Sequence, residues 1–178
     1  MHYQEILDFW FDPQTMEKWF IKSPAFDQEI RDRFLETYDK AKSGDYDLWR
    51  QDIKGALALV ILFDQFPRNM FRDMGQAFET DDLALHIATE AIQTFGLDDL
   101  EIMEQVTLAM PYMHSESLEI QAQSVALFEK IGREKNIKYA KSHYEVVERF
   151  GRFPFRNQAL DRPSTPQEKA YMAENENF

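Results

Sequence analysis

The chain has 178 residues, of which 44% are hydrophobic and 29% charged, and it contains no cysteine. This composition is that of a globular protein, and the length fits a single helical domain over residues 1–178. The missing thiols exclude a disulfide scaffold, a Cys-ligated metal site and a thiol nucleophile, while the net charge of -12 argues against contacts with a nucleic-acid backbone.

The N-terminal segment, MHYQEILDFWFDP, has neither the basic region nor the long apolar stretch of a secretion signal. The longest apolar run, from Ala56 to Phe63, is too short to cross a bilayer. We therefore expect a soluble, cytoplasmic protein that binds neither membranes nor nucleic acid. The sequence leaves the oligomeric state open.

Apolar residues recur at helical spacing between scarce glycines and prolines, and no segment shows the alternation of a β-strand. We predict an all-α fold of about eight or nine helices. Short connections favour stacked antiparallel helical hairpins. The predicted helices cover residues 24–43, 53–63, 81–95, 98–109, 115–131 and 136–150, followed by a C-terminal helix that begins after Thr165.

Several residues predict where these helices begin and end. Thr80 is expected to cap the helix that follows it, with Asp81 in the first turn where the helix dipole favours negative charge. Pro111 is expected to halt the helix that precedes it. The segment TPQE, from Thr165 to Glu168, has the pattern of a capping box with proline at the first helical position.

The phrase Phe-x-x-Phe-Pro-(x)-Arg-Asn occurs twice, as FDQFPRN at residues 63–69 and as FGRFPFRN at residues 150–157. Proline lacks an N–H and disfavours the α conformation in the residue before it, so we predict that a helix ends at each copy. One interpretation of the repeated phrase is structural. The Phe rings fill the core, and Arg and Asn bond the carbonyls exposed at a helix end.

The second interpretation is an anion-binding cleft. Arg149, Arg152 and Arg156 occur with no acidic residue between them, and Arg68 and Arg72 form a second basic group. Guanidinium groups grip a carboxylate or phosphate through two oxygens. If the two phrases mark equivalent hairpin ends, Arg68 and Arg156 should lie near each other. The candidate ligand-binding residues are Asp64, Gln65, Arg68, Asn69, Arg152, Arg156 and Asn157.

Two histidines and a glutamate are candidates for proton transfer. The segment PYMHSE places His114 and Glu116 at the start of a helix with Ser115 as its cap, and His143 lies in the helix before the second phrase. The alternative is that each is a hydrogen-bonded packing residue. A chain with four histidines and no cysteine has few metal ligands, so we predict no metal and no cofactor. No P-loop, dinucleotide-binding glycine pattern or nucleophile elbow occurs.

The chain resembles the bacterial domain-of-unknown-function family 924, which is grouped with the tetratricopeptide-like helical folds. The resemblance rests on ILDFWF, LALVILFDQFPRNMFR, AFETDDLAL, YMHSESLEIQ, FGRFPFRN and RPSTPQE, and it covers nearly the whole chain. It implies a right-handed superhelix and no assigned activity. Family members commonly have His at the position of Phe155, so any catalytic or metal-binding role of that His is lost here.

Two functions fit these observations. We favour a helical binding module whose Arg/Asn/His cleft takes an anionic small molecule or peptide, since stacked hairpins form concave surfaces. The alternative is a metal-independent hydrolase or transferase acting on an anionic substrate. In that enzyme His114, Glu116 and His143 would transfer protons. Arg68, Arg156 and Asn157 would stabilise negative charge.

Overall fold

The computed structural model describes residues 1–175, and within that range it has nine helices and no β-strand. The predicted all-α fold is confirmed. In chain order the helices are α1 (Tyr3–Trp10), α2 (Pro13–Met16), α3 (Pro24–Lys42), α4 (53–70), α5 (Asp81–Phe95), α6 (Ile102–His114), α7 (Leu118–Ile131), α8 (Glu134–Phe150) and α9 (Pro166–Glu174). Helix α4 has three parts, which are α-helical Ile53–Val60, a π-helical turn Ile61–Gln65 and α-helical Phe66–Met70.

The residues fall into two compact units. Unit 1 comprises Met1–Arg72 and Gln76–Pro111. Unit 2 comprises, within the described residues, Asp73–Gly75 and residues 112–175. The single domain and the right-handed superhelix expected from the sequence stay predictions. None of the helices in residues 1–175 combines the length and the apolar character needed to cross a bilayer.

Helix α4 forms the centre of unit 1. Every residue from 55 to 64 is buried, which confirms the central helix predicted from its apolar character on all sides. Helices α1 and α5 pack against the first part of α4, and α3 packs against its last part. The Phe66 ring lies among three other rings, with centroid distances of 6.0, 5.6 and 4.6 Å to Phe9, Trp10 and Phe34.

Pro67 does not end α4, so the predicted helix end at the first phrase is wrong. The N–H of Phe66 donates to the carbonyl of Ile61, five residues earlier, which is the π-helical pattern. In an α-helix the Phe63 carbonyl would accept an N–H from residue 67, which proline lacks. The Thr80 hydroxyl donates to this carbonyl instead, at 2.6 Å. Thr80 therefore bonds α4 and makes no side-chain cap for α5, contrary to prediction.

Helices α6 and α7 also differ from the prediction. Pro111 lies inside α6, which continues to His114. Helix α7 begins at Leu118 with Ser117 as its cap, three residues later than expected from Ser115. His114 therefore ends one helix rather than beginning the next.

Helices α7 and α8 pack along each other in unit 2 and are joined by a two-residue connection, so they form an antiparallel hairpin. Val146 and Val147 of α8 form a small core with Phe153, against which Phe150 and Tyr171 pack. The predicted capping box at α9 is confirmed. The Thr165 hydroxyl accepts the N–H of Glu168, and the Glu168 carboxylate accepts the N–H of Thr165.

Candidate functional site

Arg68, in the first phrase, lies between two carboxylates of unit 1. Its guanidinium donates to both oxygens of Asp81 at 3.0 Å each, lies 3.3 Å from Asp64 Oδ1 and donates to the Asp64 carbonyl. The Asp64 side chain is fully buried and accepts a hydrogen bond from Gln65. Burial lowers the pKa of Arg68, but Asp64 and Asp81 outweigh this and raise it. Arg68 is therefore a charge-compensated cation.

Asn69 and Arg72 both bind Asp27, in the first turn of α3. Asn69 donates to Asp27 at 2.8 Å, and Arg72 donates to both carboxylate oxygens at 2.6 and 2.7 Å. Burial raises the pKa of Asp27, but the hydrogen bonds from Arg72 and Asn69 outweigh this effect. The pKa of Asp27 is therefore lowered below its ordinary value. These side chains join α4 to α3. Sequence reasoning missed Asp27 and Asp81 as partners.

The second phrase has a different backbone. Helix α8 ends at Phe150, as predicted, because Gly151 adopts the left-handed conformation with φ of +69° and donates its N–H to Val147. Pro154–Arg156 then forms a short 3₁₀ turn. The predicted helix end is confirmed for this copy.

Arg152 is held by Glu168 of α9. Its guanidinium donates to the two carboxylate oxygens at 2.7 and 3.0 Å and to the Pro163 carbonyl at 2.9 Å. The hydrogen bond from Arg152 outweighs the effect of burial, and with help from Thr165 and Asn157 it lowers the pKa of Glu168 to about 2. Buried Asn157 also donates to Ser164 at 3.1 Å. Arg152 and Asn157 therefore fix the connection from α8 to α9.

Glu116 is held in the same bidentate way by Arg162, at 2.7 and 2.9 Å, and accepts the backbone N–H of Phe153 at 2.7 Å. Burial raises the pKa of Glu116, but the hydrogen bonds from Arg162 and Phe153 and the nearby charge of Arg156 lower it overall. Glu116 is therefore an ionised acceptor at neutral pH. Arg162 was missed by sequence reasoning. The one sequence feature that pointed to a role for Arg162 is that it is the fourth arginine in residues 149–162.

Three predicted residues contact Phe153, two at its ring and one at its backbone. The His143 ring contacts it edge-on, with a centroid distance of 5.5 Å, and the Arg156 guanidinium lies over it at 4.6 Å. Glu116 binds the Phe153 backbone. His143 Nδ1 lies 2.8 Å from the Tyr139 carbonyl, and because a carbonyl only accepts, Nδ1 carries the proton. We call Phe153, His143, Arg156 and Glu116 the Phe153 cluster.

The predicted site residues thus lie in both units. Asp64, Gln65, Arg68 and Asn69 belong to unit 1, and His114, Glu116, His143, Arg152, Arg156 and Asn157 to unit 2. The expected proximity of Arg68 and Arg156 is a relation between the units and stays a prediction. Within residues 1–175, no group of three or more acidic or histidine side chains is arranged to hold a metal ion. Phe155 packs against Tyr171, with ring centroids 6.1 Å apart.

Comparison with known proteins gives the same classification as the sequence motifs. The chain is similar to a protein of unknown function, ATU0120 from Agrobacterium tumefaciens, whose solved structure matches it with a TM-score of 0.91 and 36% identity over 97% of each chain. No curated protein matches. A family model described as a bacterial protein of unknown function, DUF924, matches residues 6–176. The chain therefore belongs to the bacterial family DUF924.

Proposed function

We propose that this protein is a helical binding module that holds an anionic small molecule, or the anionic end of a peptide, at the Phe153 cluster. The observation that carries the proposal is the Arg156 guanidinium, which lies over the Phe153 ring at 4.6 Å. A guanidinium stacked in this way keeps its N–H groups at its rim, where they can grip two oxygens of a carboxylate or phosphate. The partly exposed Arg156 is oriented for that task.

Local charge supports the same proposal. Residues 149–162 contain four arginines and one acidic residue, Asp161, in a chain with a net charge of -12. Glu168 and Glu116 compensate Arg152 and Arg162. Arg149 and Arg156 lie over aromatic rings, and the charge of Arg156 also lies near Glu116. A small anion would find an electropositive surface here, whereas the strong negative charge of the whole chain opposes binding to an extended nucleic acid.

The contacts of Glu116 and His143 give less support to the enzyme alternative. A general acid or base at neutral pH works best with a pKa near 7, but Arg162 and the Phe153 N–H lower the pKa of Glu116. His143 uses Nδ1 for the Tyr139 carbonyl and packs its ring on Phe153. Glu116 thereby holds the Phe153 backbone and His143 packs on its ring, which suits a binding site.

The test is thermal unfolding with increasing phosphate or citrate, with chloride added to keep the ionic strength constant. A ligand of the folded state raises the unfolding temperature, and at 100 times its dissociation constant it adds about 2.7 kcal/mol of stability. We expect this response in the unchanged protein and its loss in Arg156→Gln. The matched control is Arg31→Gln, because the Arg31 guanidinium also lies over a Phe ring, that of Phe71, at 5.3 Å. An equal response in Arg156→Gln and Arg31→Gln would contradict the proposal.

A further inference from the structure

A concave surface of unit 2 lies between α8 and α9. It is a cleft of about 330 Å³, at the small end of the range for small-molecule sites. Its walls combine one cation, one anion, two aromatic rings and two neutral polar groups. We call it the Arg149 groove, and these lining residues are Arg149, Glu145, Phe150, Tyr171, Ser142 and Asn175.

The cation of the groove is held by aromatic rings. The Arg149 guanidinium lies 4.7 Å from the Phe150 ring centre and 5.9 Å from that of Tyr171. The two rings also contact each other, with centroids 5.2 Å apart. Cation–π contacts orient a guanidinium without neutralising its charge. Within residues 1–175, Arg149 makes no ion pair.

The anion of the groove is Glu145, which precedes Arg149 by four residues on α8. Side chains at this spacing lie on the same face of a helix and commonly form an ion pair. In this groove they do not pair, because Arg149 lies over the rings instead. Across the described part of the chain Glu145 has no ion-pair partner either. The groove therefore presents a negative and a positive group side by side, both exposed to solvent.

A ligand that carries an ammonium beside a carboxylate complements this pair of charges. Glu145 accepts hydrogen bonds from the ammonium, and Arg149 donates to the carboxylate. The Phe150 and Tyr171 rings supply an apolar wall for a flat side chain. We infer that the Arg149 groove binds a free α-amino acid with an aromatic side chain. This site is separate from the Phe153 cluster and does not depend on the function proposed there.

Isothermal titration with L-phenylalanine tests the inference. We expect saturable binding of one molecule per chain. N-acetyl-phenylalanine lacks the ammonium, phenylalanine amide lacks the carboxylate and glycine lacks the ring, so each should bind at least about tenfold more weakly, the loss expected for a charge-assisted hydrogen bond or an aromatic contact. A peptide end has only one of the two charges, so these analogues also distinguish a free amino acid from a peptide terminus.

Variants of exposed residues locate the site. Glu145→Gln and Arg149→Gln should each weaken L-phenylalanine binding about tenfold. Glu148→Gln and Lys138→Gln change exposed charges on the same helix outside the groove and should leave binding unchanged. The inference is overturned if L-phenylalanine does not saturate the protein, if a blocked analogue binds equally well, or if the groove variants bind as the controls do. Urea midpoints confirm that each variant is folded.

Discussion

The two copies of the Phe-x-x-Phe-Pro-(x)-Arg-Asn phrase have similar sequences but different backbone conformations. In the first copy a helix continues through Pro67, because a π-helical turn and the Thr80 hydroxyl compensate for the missing N–H. In the second copy Gly151 ends the helix before Pro154. Gly151 stands where the first copy has Asp64. Glycine adopts the left-handed conformation without strain, and aspartate does so less readily. This one difference in sequence thus distinguishes the helix that ends from the helix that continues.

The arginines of the two copies differ as well. Arg68 lies between the carboxylates of Asp64 and Asp81, whereas Arg156 lies over the Phe153 ring with its charge near Glu116. The immediate neighbours of the first arginine are therefore carboxylates, and the guanidinium of the second is stacked on an aromatic ring. This difference can be tested by the stability of variants.

The largest effect is expected from Arg68→Ala. This change leaves the fully buried Asp64 carboxylate near Asp81 without the cation between them. Breaking such a buried pair on one side costs about 3 kcal/mol of unfolding free energy. Urea denaturation at pH 7 measures it. The control is Lys141→Ala, which removes a half-exposed pair with Glu129 and should cost less than about 1 kcal/mol. Equal losses in the two variants would refute the structural role of Arg68.

A smaller loss, limited to one pH range, is expected from Glu168→Gln. The folded-state pKa of Glu168 is lowered from 4.5 to about 2, chiefly by the hydrogen bond from Arg152. The stabilisation is therefore complete above pH 4.5 and disappears as the pH falls to about 2. The variant should be less stable at neutral pH, and the difference should shrink across this range. Glu174→Gln, an exposed change on the same helix, should follow the unchanged protein at every pH. A constant difference would contradict the prediction.

Gly151→Ala tests the helix end in the second copy. A Cβ at this position meets no atom within 4 Å, so the cost comes from the φ of +69° alone. We expect a loss of about 1 kcal/mol in unfolding free energy. Gly132→Ala has an equally open site and a φ of +81°, and should lose a similar amount. If Gly151→Ala loses nothing, the conformation of Gly151 does not explain why the helix ends there.

The smallest effect on stability is expected from Arg156→Ala. Arg156 is partly exposed, so the loss of its cation–π contact and of its charge near Glu116 costs about 1 kcal/mol or less. The same variant should lose the stabilisation by phosphate. A destabilisation as large as that of Arg68→Ala would make the two copies equivalent after all, and would leave Arg156 with a structural role only.

Local signals in the sequence were enough for much of the fold. Glycines gave the ends of α5 and α8, and the capping box gave the start of α9. The predicted helix ends were wrong where a group distant in sequence made a hydrogen bond that the local sequence does not indicate. Proline was expected to end α4, but Thr80, seventeen residues after Phe63, satisfies the carbonyl that Pro67 leaves open.

The candidate site was harder to predict for the same reason. Its arginines could be found in the sequence, but their partners could not, because Arg72 binds Asp27 across 45 residues and Arg162 binds Glu116 across 46. Such pairs depend on how helices pack, and helical periodicity carries no information about them. The stacking of Arg156 on Phe153 is closer in sequence but requires the turn made by Pro154–Arg156.

The π-helical turn of α4 sets the direction in which the first phrase points. Each residue of an α-helix advances about 100° around the axis, so one additional residue in a turn rotates everything after it by that angle. In the register that follows Ile61–Gln65, Asn69 and Arg72 reach Asp27. Deleting one residue from this turn would restore a regular helix and aim both side chains away from α3. The attachment of α4 to α3 thus depends on the rotation that this π-helical turn introduces into α4.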